Sequence, residues 1–254
     1  MLHRFLFSSF CYFLFFLSAC SGQPANRDVR PVNKQDSIQS DTISLQKVPP
    51  IVQKSSQALL LEKKGLVNVH DLDSTIVVEL IYATADNFMK QVLYDDLKEA
   101  YLQPDVAKML VKAHNKLKEQ HPELRMIVYD AARPLRIQAK MWNVVKGTPN
   151  NIYISNPARP GQHTYGAAVD VSLIDASGTP LDMGTPVDFF GPAAQINNED
   201  LLLKQGKLTS EQIKNRKILR AAMVSAGFKP LRTEWWHFNV CTREEAKIRY
   251  KVIE

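Results

Sequence analysis

The chain has 254 residues, of which 45% are hydrophobic and 23% are charged, a composition that is ordinary for a globular protein with one sizeable domain or two small ones. The formal net charge is +6 at pH 7, but the lysines and arginines are dispersed, and no block of five or more occurs. This distribution gives no support to nucleic-acid binding and predicts a solvated surface with a modest positive excess.

The amino-terminal twenty residues have the pattern of an export signal. His3-Arg4 precedes a mostly apolar run, Phe5–Leu17, which is too short to span a bilayer as a helix and is typical of a signal-peptide core. The run ends in Leu17-Ser18-Ala19-Cys20, which resembles the lipobox of bacterial lipoproteins, where the peptide is cut before the Cys and the Cys is acylated. We therefore predict a lipoprotein signal peptide at residues 1–19 and lipidation of Cys20. The alternative is an ordinary secretory signal with an incidental Cys.

The segment that follows the signal is polar. Residues 21–58 are rich in Ser, Gln, Asp, Asn, Lys and Pro and lack sustained apolar periodicity, which is typical of a flexible linker. We predict a tether over residues 20–58 and one domain over residues 59–254, exported, lipid-anchored to a bacterial membrane and facing the periplasm. Of the three cysteines, Cys241 alone has no role in processing or anchoring, so no intramolecular disulfide is expected.

The first half of the domain alternates short strands with two helices. Apolar residues predict strands at Leu66–Val69 and Thr75–Leu80 and a buried strand at Leu124–Tyr129. One helix opens at Pro104, where the missing N–H costs nothing, and a second opens at Pro134. Their inward-facing residues recur at helical spacing: Val106, Met109, Leu110, Ala113 and Leu117 in the first helix, and Ile137, Met141 and either Val144 or Val145 in the second.

The second half places a strand at Ala167–Ile174 between less regular segments. Gly and Pro residues predict a loop over residues 147–162, and residues 184–207 are expected to be irregular with short helical pieces. A capping-box pattern at Thr209–Gln212 starts a helix that ends before Gly227. Two closing strands follow, at Phe228–Leu231 and Trp235–Val240. The predicted fold class is α+β, a small and mainly antiparallel sheet with helices packed against it.

Two short segments contain the residue types of a metal-dependent hydrolase. The segment Gly161–Asp170 contains one imidazole, at His163, and one carboxylate, at Asp170. The segment Glu234–His237 contains a second carboxylate beside a second imidazole. Two imidazoles and one carboxylate are three protein ligands for zinc, which leaves a fourth position for water, and a neighbouring carboxylate can take the proton of that water. The sequence therefore predicts one zinc ion per chain, held by His163, Asp170 and His237 on the face of the sheet.

The spacing of these residues requires two particular backbone conformations. The first two ligands can share an ion only if a loop enters a strand between them, and Gly166 permits the unusual backbone angles that this requires. Glu234 and His237 lie three residues apart, so in a regular strand they would point to opposite faces. We predict an irregularity at Trp235-Trp236 that turns both side chains toward the metal. The two tryptophans should also lower the local dielectric and raise the basicity of Glu234.

Each residue taken alone has a simpler interpretation. A single His is more commonly a surface or hydrogen-bonded core residue than a ligand, and Glu234 alone would be a surface carboxylate. The spacing of the combination is what favours a metal centre. His70, His114 and His121 have no comparable neighbours, and we expect them to be structural or surface groups.

The pattern His163-x-x-Gly166-x-Ala168-x-Asp170 with Glu234-x-Trp236-His237 resembles the D-alanyl-D-alanine dipeptidases of bacteria. These enzymes belong to a metallopeptidase superfamily that also includes zinc D,D-carboxypeptidases. Three further motifs extend the similarity in the same order along the chain: Tyr82-Ala83-Thr84-x-Asp86-Asn87-Phe88, Asp130-x-x-Arg133-Pro134 and Met183-Gly184-Thr185-x-x-Asp188-Phe189.

The resemblance implies roles in catalysis. The three predicted ligands match the zinc ligands of the family. Glu234 matches the base that takes a proton from water and passes it to the leaving amine. Arg133 matches the residue that stabilises the tetrahedral oxyanion, and a fixed guanidinium beside the metal is suited to that role.

The resemblance also implies a substrate pocket. Asp188 matches a residue that binds the substrate ammonium group, and Tyr82 and Asp130 match substrate-binding residues of the pocket. The chain departs from the family at two places. Gly161 stands where the family has Ser, near the amino end of the substrate, and Ala131-Ala132 stands where the family has a Gly-Tyr pair.

These features predict zinc-dependent hydrolysis of the D-Ala-D-Ala dipeptide to two D-alanines, in the turnover of cell-wall peptides. The expected partners are a small D-amino-acid dipeptide and, through the lipid anchor, a membrane, with no nucleic acid and no obligatory protein partner. Two alternatives stay open: a D,D-carboxypeptidase that acts on longer muropeptides, and a zinc-stabilised binding module that has lost catalysis. The presence of both Glu234 and Arg133 argues against the second alternative.

Overall fold

The computed structural model describes residues 54–254. The predicted signal peptide, the lipidation site at Cys20 and most of the predicted tether lie outside the described residues. The first helix, α1 (Ser56–Lys63), begins three residues before the predicted start of the domain at residue 59. Its first turn buries Gln57 and Ala58, so these two residues belong to the folded domain and not to the tether.

Two helices begin where the sequence signals place them. Helix α2 (Pro104–Gln120) has the predicted proline at its first position. Helix α5 (Ser210–Ser225) starts at the predicted capping box, in which the side chains of Thr209 and Gln212 each accept the other's backbone N–H. The other α-helices of the described residues are α3 (Leu135–Val145), α4 (Glu199–Lys204) and α6 (Arg243–Arg249). Within residues 54–254, no helix combines the length and the apolar character that a membrane crossing needs.

Two helices show what periodicity could and could not decide. In α3, Val145 is buried and Val144 is 54% exposed, which settles the choice that the sequence left open. Helix α6 was not predicted, although Thr242 and Glu245 form a capping box at its start. The helix has seven residues and buries only Ala246, so it carries no apolar stripe that periodicity could detect.

The central sheet has five strands in the order β2-β4-β5-β7-β6. Its strands are β2 (Val77–Val78), β4 (Arg125–Asp130), β5 (Ala168–Ile174), β6 (Lys229–Leu231) and β7 (Glu234–Asn239). Strands β2 and β4 run parallel, and the other three pairs are antiparallel. This mainly antiparallel sheet, with helices packed against it, confirms the predicted α+β class.

The two amino-terminal strands are shorter than predicted. Strand β1 (Val67–Asn68) and strand β2 have two residues each, because the chain leaves them for 3₁₀ turns at Val69–Asp71 and Ile81–Ala83. Strand β1 pairs with β3 (Tyr101–Leu102) in a separate antiparallel ribbon. Strand β3 was not predicted, since two residues are too few to show a period of two.

Strand β5 lies at the centre of the fold, and all seven of its residues are buried. Val169, Val171 and Leu173 belong to the main hydrophobic core, together with residues of α2 and α5. Because side chains alternate along a strand, the opposite face of β5 carries Asp170 and Ser172. The neighbours of Asp170 therefore anchor the strand, as predicted, and hold this carboxylate in the middle of the sheet.

Candidate active site

The three predicted metal ligands meet in one place and are buried. His163 Nε2 is 3.1 Å from His237 Nδ1 and 3.3 Å from Asp170 Oδ1, and the last two atoms are 3.0 Å apart. A tetrahedral zinc ion with bonds of about 2.0–2.1 Å holds its ligand atoms about 3.3 Å from one another. The three atoms therefore already have nearly the separations that one zinc ion requires.

The sheet and one turn supply these ligands. Asp170 and His237 are direct partners across the antiparallel pair β5–β7. His163 comes from a 3₁₀ turn, Gln162–Tyr165, which ends at Gly166 with a φ of 66°. A residue with a Cβ is strained at this left-handed backbone, so the glycine lets the chain turn from His163 into β5, as predicted.

Strand β7 is irregular at the predicted position. Its pairing with β6 moves from Phe238 opposite Pro230 to Glu234 opposite Leu231, so one step along β6 corresponds to four steps along β7. The residues between, which include Trp235-Trp236, bulge out of the ladder and change the direction in which β7 presents its side chains. The predicted irregularity is therefore confirmed.

A second bulge, at Tyr129 in β4, places Asp130 opposite Asp170. Two like charges directly opposite each other on neighbouring strands are unfavourable. Arg133 offsets this repulsion, since its Nη2 hydrogen-bonds Asp130 and lies 3.7 Å from Asp170 Oδ2. The arginine is thus fixed beside one of the candidate metal ligands.

The second nitrogen of each imidazole is also engaged. His163 Nδ1 lies 2.7 Å from the carbonyl oxygen of Ala131, and His237 Nε2 lies 2.9 Å from Asn239 Oδ1. When these nitrogens donate, the lone pairs remain on His163 Nε2 and His237 Nδ1, the two atoms that converge. Asn239 was not predicted, and the available signal was its position two residues after His237, on the same face of the strand.

The donor set fits zinc. Imidazole nitrogen and carboxylate oxygen are ordinary zinc donors, and three protein ligands leave a position open. Burial by itself would raise the pKa of Asp170, but the charge of His163 and hydrogen bonds with both histidines hold that pKa well below its usual value. Asp170 is therefore ionised at neutral pH, as a carboxylate ligand to a cation must be.

The other histidines of the domain lie elsewhere. His70 Nε2 contacts the carbonyl oxygen of Ile76, and the buried His114 contacts Thr75 Oγ1. His121 is partly exposed beside Glu123. Within residues 54–254, the group His163, Asp170 and His237 is the one set of three metal-binding side chains that converges. The expectation that the other histidines are structural or surface groups is confirmed.

Glu234 lies beside the candidate ligands in a buried position. Its Oε2 is 3.9 Å from His237 Nδ1, and the residue is 8% exposed. Burial, and then repulsion from Asp170 and Asp188, raise the pKa of Glu234 to about 8, against the opposing charge of His237. A carboxyl group with this pKa can gain and lose a proton near neutral pH.

Arg133 is held rigidly. Its Nε donates to Asp130 Oδ2 at 2.9 Å, and its Nη1 donates to Gln138 Oε1 at 3.0 Å. The hydroxyl of Tyr94 also donates to Asp130. Asp130 is fully buried. It accepts hydrogen bonds from Arg133 and Tyr94, and its Oδ2 lies 3.7 Å from His163 Nδ1. Tyr94 and Gln138 were not predicted, because the sequence gives no spacing that links them to Arg133.

Asp188 and Tyr82 form a second polar pair. The hydroxyl of Tyr82 donates to Asp188 Oδ2 at 2.6 Å. Burial raises the pKa of Asp188 to about 7, and burial together with the charge of Asp188 raises the pKa of Tyr82 well above its usual value. The phenol therefore stays protonated and acts as the donor, while Asp188 titrates near neutral pH.

One cavity of about 560 Å³ is lined by the three candidate ligands together with Glu234, Arg133, Tyr82 and Asp188, whereas Asp130 and Tyr94 do not line it. The cavity therefore combines a place for a divalent cation, a carboxylate that can exchange a proton, a fixed guanidinium and a separate acidic group.

Comparison with known proteins agrees with this site. A sequence model of the peptidase M15 family, described as D-ala-D-ala dipeptidase, matches residues 62–251. The chain belongs to the M15 peptidase family. It is 29% identical over 175 residues to the D-alanyl-D-alanine dipeptidase of Escherichia coli (strain K12), with 69% of this chain and 84% of the relative covered. It is also 29% identical to the D-alanyl-D-alanine dipeptidase of Synechocystis sp. (strain ATCC 27184 / PCC 6803 / Kazusa), with 54% of this chain and 68% of that relative covered.

The family match covers the whole site of this M15 peptidase. It begins in the last turns of α1 and ends just after α6, so it includes every candidate residue from Tyr82 to His237. The chain is accordingly a peptidase, and the cavity is its candidate active site.

A steric constraint explains why position 161 of the M15 peptidase is a glycine. Its φ of −80° is open to any residue, so the backbone does not require glycine. A Cβ at this position would lie 2.7 Å from Ser155 Oγ and 3.2 Å from Ser155 Cβ. The Ser155 side chain thus fills the space that a side chain at position 161 would need, and both residues line the cavity.

Proposed function

We propose that this M15 peptidase hydrolyses the D-Ala-D-Ala dipeptide to two D-alanines with one zinc ion per chain. The observation that carries the proposal is the convergence of His163 Nε2, Asp170 Oδ1 and His237 Nδ1 within 3.3 Å of one another, beside the buried carboxyl group of Glu234. A zinc ion held by these three atoms would act as a Lewis acid and would lower the pKa of a water molecule at the open position.

Glu234 is the general base and later the general acid. Burial raises its pKa to about 8, and the charge of a bound zinc ion would lower that pKa toward neutrality, where the group can both accept and donate a proton. The ionised carboxylate takes a proton from the attacking water, and the protonated group then gives it to the nitrogen of the leaving D-alanine. The carboxylate is regenerated when the C–N bond breaks, so the proton balance closes over one turnover.

Arg133 stabilises the negative charge that develops on the carbonyl oxygen. Its guanidinium is held by Asp130 and Gln138, so it does not need to reorganise when the charge appears. Donors fixed in this way contribute about 2.7–4 kcal/mol to transition-state stabilisation in other amide hydrolases. Burial tends to lower the pKa of Arg133, but Asp130, Tyr82, Tyr94 and Asp170 together outweigh it and raise that pKa well above the usual value, so the guanidinium stays charged.

Asp188 and Tyr82 select the amino end of the substrate. A buried carboxylate pairs with the free ammonium group of a dipeptide, and the Tyr82 hydroxyl orients that carboxylate through its hydrogen bond. A peptide with a further residue at its amino end has no ammonium group at this point, which favours dipeptides over longer substrates.

A dipeptide panel tests the proposal. Purified protein is stripped with a chelator, reloaded with zinc and incubated with D-Ala-D-Ala, L-Ala-L-Ala and mixed dipeptides, and free D-alanine is measured. We expect D-Ala-D-Ala to be cleaved best, activity to disappear on chelation and activity to return with zinc. A zinc-loaded, folded protein that is inert to every D-Ala peptide would favour the non-catalytic binding module.

The size of the cavity supports a second candidate, a D,D-carboxypeptidase. At about 560 Å³, the cavity lies within the range of about 300–1,000 Å³ that takes drug-sized ligands, which leaves room beyond a dipeptide. Turnover of D-Ala-D-Ala is to be compared with that of an amino-blocked tripeptide ending in D-Ala-D-Ala. Faster turnover of the blocked tripeptide would make the carboxypeptidase the correct assignment.

We also propose that the protein is exported, lipid-anchored through Cys20 and active in the turnover of cell-wall peptides. The support is the sequence alone: an apolar run that ends in Leu17-Ser18-Ala19-Cys20. Globomycin treatment or a Cys20→Ala variant, followed by membrane fractionation, tests the anchor. Membrane association that does not change would count against lipidation.

A further inference from the structure

The segment that carries Asp188 is tied together by one arginine. Arg216 of α5 donates from Nε to the carbonyl oxygen of Met183 at 2.7 Å and from Nη2 to the carbonyl oxygen of Ala193 at 2.9 Å. Asp188 lies five residues from each of these two positions. A single guanidinium thus closes residues 183–193 into a loop whose ends are adjacent. We name this segment the Asp188 loop.

Arg216 is unusual for a residue with a purely structural role. It is 1% exposed, its nearest carboxylate is Glu199 at 3.9 Å from Nη1, and Nη1 makes no hydrogen bond within the described residues. An apolar residue of similar volume often serves packing as well as or better than a buried charge does. What an apolar residue cannot do is bind two carbonyl groups at a fixed distance, which the planar guanidinium does.

The same arginine connects the Asp188 loop to the strand that carries Glu234. Its Cζ lies 5.6 Å from the ring centroid of Trp235, the residue after Glu234. The indole Nε1 of Trp235 in turn donates to Thr185 Oγ1, within the loop, at 2.8 Å. Arg216, the loop and the bulge of β7 therefore pack as one unit.

The loop needs this support because Asp188 has an unfavourable backbone. Its φ is 62°, in the left-handed region, which a residue other than glycine occupies at a cost and keeps only where the surroundings hold it. The side chain is held at its tip by Tyr82, and the backbone of the loop is held at its two ends by Arg216.

We propose that Arg216 is a positioning residue for the substrate ammonium site, which it builds by fixing the Asp188 loop against α5 and β7. The inference rests on the proposed function of Asp188. Arg216 does not line the cavity, so it acts on the substrate only through the loop.

A matched pair of variants, Arg216→Lys and Arg220→Lys, tests the proposal. Arg220 lies one turn further along α5 and binds the same carboxylate, Glu199, at 3.2 and 2.9 Å, while none of its hydrogen bonds within the described residues reaches the Asp188 loop. Lysine keeps the charge in both variants, but it cannot reproduce the hydrogen bonds that the Arg216 guanidinium donates to two separate carbonyl groups. Arg220→Lys removes the closer of the two Glu199 ion pairs and leaves the loop contacts in place, so it controls for any effect that comes from Glu199 and not from the loop.

We expect Arg216→Lys to raise KM for D-Ala-D-Ala about 10- to 100-fold with kcat changed by less than about threefold, because sub-ångström to ångström displacement of a positioning group has effects of this order. Arg220→Lys should leave KM within about twofold of the parent, since contacts remote from the site are close to neutral. Both variants should still bind one zinc per chain. In an Asp188→Asn background, Arg216→Lys should raise KM little further, because the group that it positions is already altered.

Hydrogen exchange of the loop amides gives a readout that does not depend on catalysis. Residues 184–193 should exchange faster in Arg216→Lys than in the parent and in Arg220→Lys. The proposal is overturned if loop exchange is unchanged, if Arg220→Lys raises KM equally, or if Arg216→Lys lowers stability without altering KM. A zinc-loaded parent that does not cleave the dipeptide refutes the proposed function, and loop exchange then still decides whether Arg216 fixes the loop.

Discussion

Asp170 and His237 lie directly opposite each other on β5 and β7, with Asp170 Oδ1 3.0 Å from His237 Nδ1. Directly opposed residues of antiparallel strands have Cβ atoms about 4.5–5.5 Å apart, so the register of the sheet sets the distance between two of the three candidate ligands. A register slip of one residue would send one of these side chains to the other face. The buried core on that face therefore holds the candidate ligands in register.

The hydrogen bond between His237 Nε2 and Asn239 Oδ1 predicts an effect on zinc affinity. Asn239→Ala should weaken zinc binding about 10- to 100-fold, because the imidazole loses the acceptor that orients it. Asn239→Asp keeps an acceptor in the same place and should retain most of the affinity. Competition with a fluorescent zinc chelator measures both values, and equal affinity in the alanine variant and the parent would rule out this role of Asn239.

Glu234→Gln should lower kcat for D-Ala-D-Ala by about 10²- to 10⁴-fold, the usual contribution of a positioned general base. The amide has the shape of the carboxyl group, so the zinc content should remain one per chain. Glu244 also lines the cavity but is exposed, and Glu244→Gln serves as the control that should keep the parent rate. A Glu234→Gln variant with near-parent kcat would remove Glu234 from the mechanism.

The titration of Asp188 predicts how substrate binding depends on pH. Its pKa of about 7 lies above the usual 3.8, so the protonated and uncharged form predominates below pH 7. Because the ammonium group needs the ionised form, the dissociation constant for D-Ala-D-Ala should rise as the pH falls, by up to about tenfold per pH unit below the pKa. The α-amino group of the substrate stays mostly charged below pH 7, since its pKa is about 7.7–8.0.

Calorimetry on the zinc-loaded Glu234→Gln variant measures this dependence between pH 5.5 and about 7.5, because the variant turns over substrate slowly and does not titrate at position 234. Adding Asp188→Asn should weaken binding at neutral pH and make it nearly independent of pH. A steep pH dependence that survives in the double variant would assign the titration to another group.

The contact between Gly161 and Ser155 predicts a compensating pair. Gly161→Ala brings a Cβ to 2.7 Å from Ser155 Oγ, and overpacking of this kind costs about 1–3 kcal/mol of unfolding free energy. Ser155→Gly removes the obstructing atoms, so Gly161→Ala should cost nothing in that background and could add about 0.4–1 kcal/mol by stiffening the unfolded chain. Urea unfolding of the four proteins gives the coupling energy, and purely additive effects would show that the two positions do not compete for space.

Residue chemistry and local spacing were sufficient to predict helices α2 and α5 and the bulge in β7. Helix α2 follows from a proline and an apolar stripe, and helix α5 follows from its capping box. The bulge at Trp235-Trp236 followed from a simple conflict, in which two functional side chains at odd spacing had to reach one cavity. The choice between Val144 and Val145 stayed open because both lie near the edge of the helical stripe.

The sequence by itself determined which atoms are available to bind a metal ion and to move a proton, because ligand type and ionisable group are properties of single side chains such as His163, His237 and Glu234. Only the tertiary structure decided which neighbours control them. Tyr94 and Arg216 make contacts whose partners are set by a bulge and by the packing of α5 on a loop. No local pattern encodes such contacts, since they form between segments that meet only when the core closes.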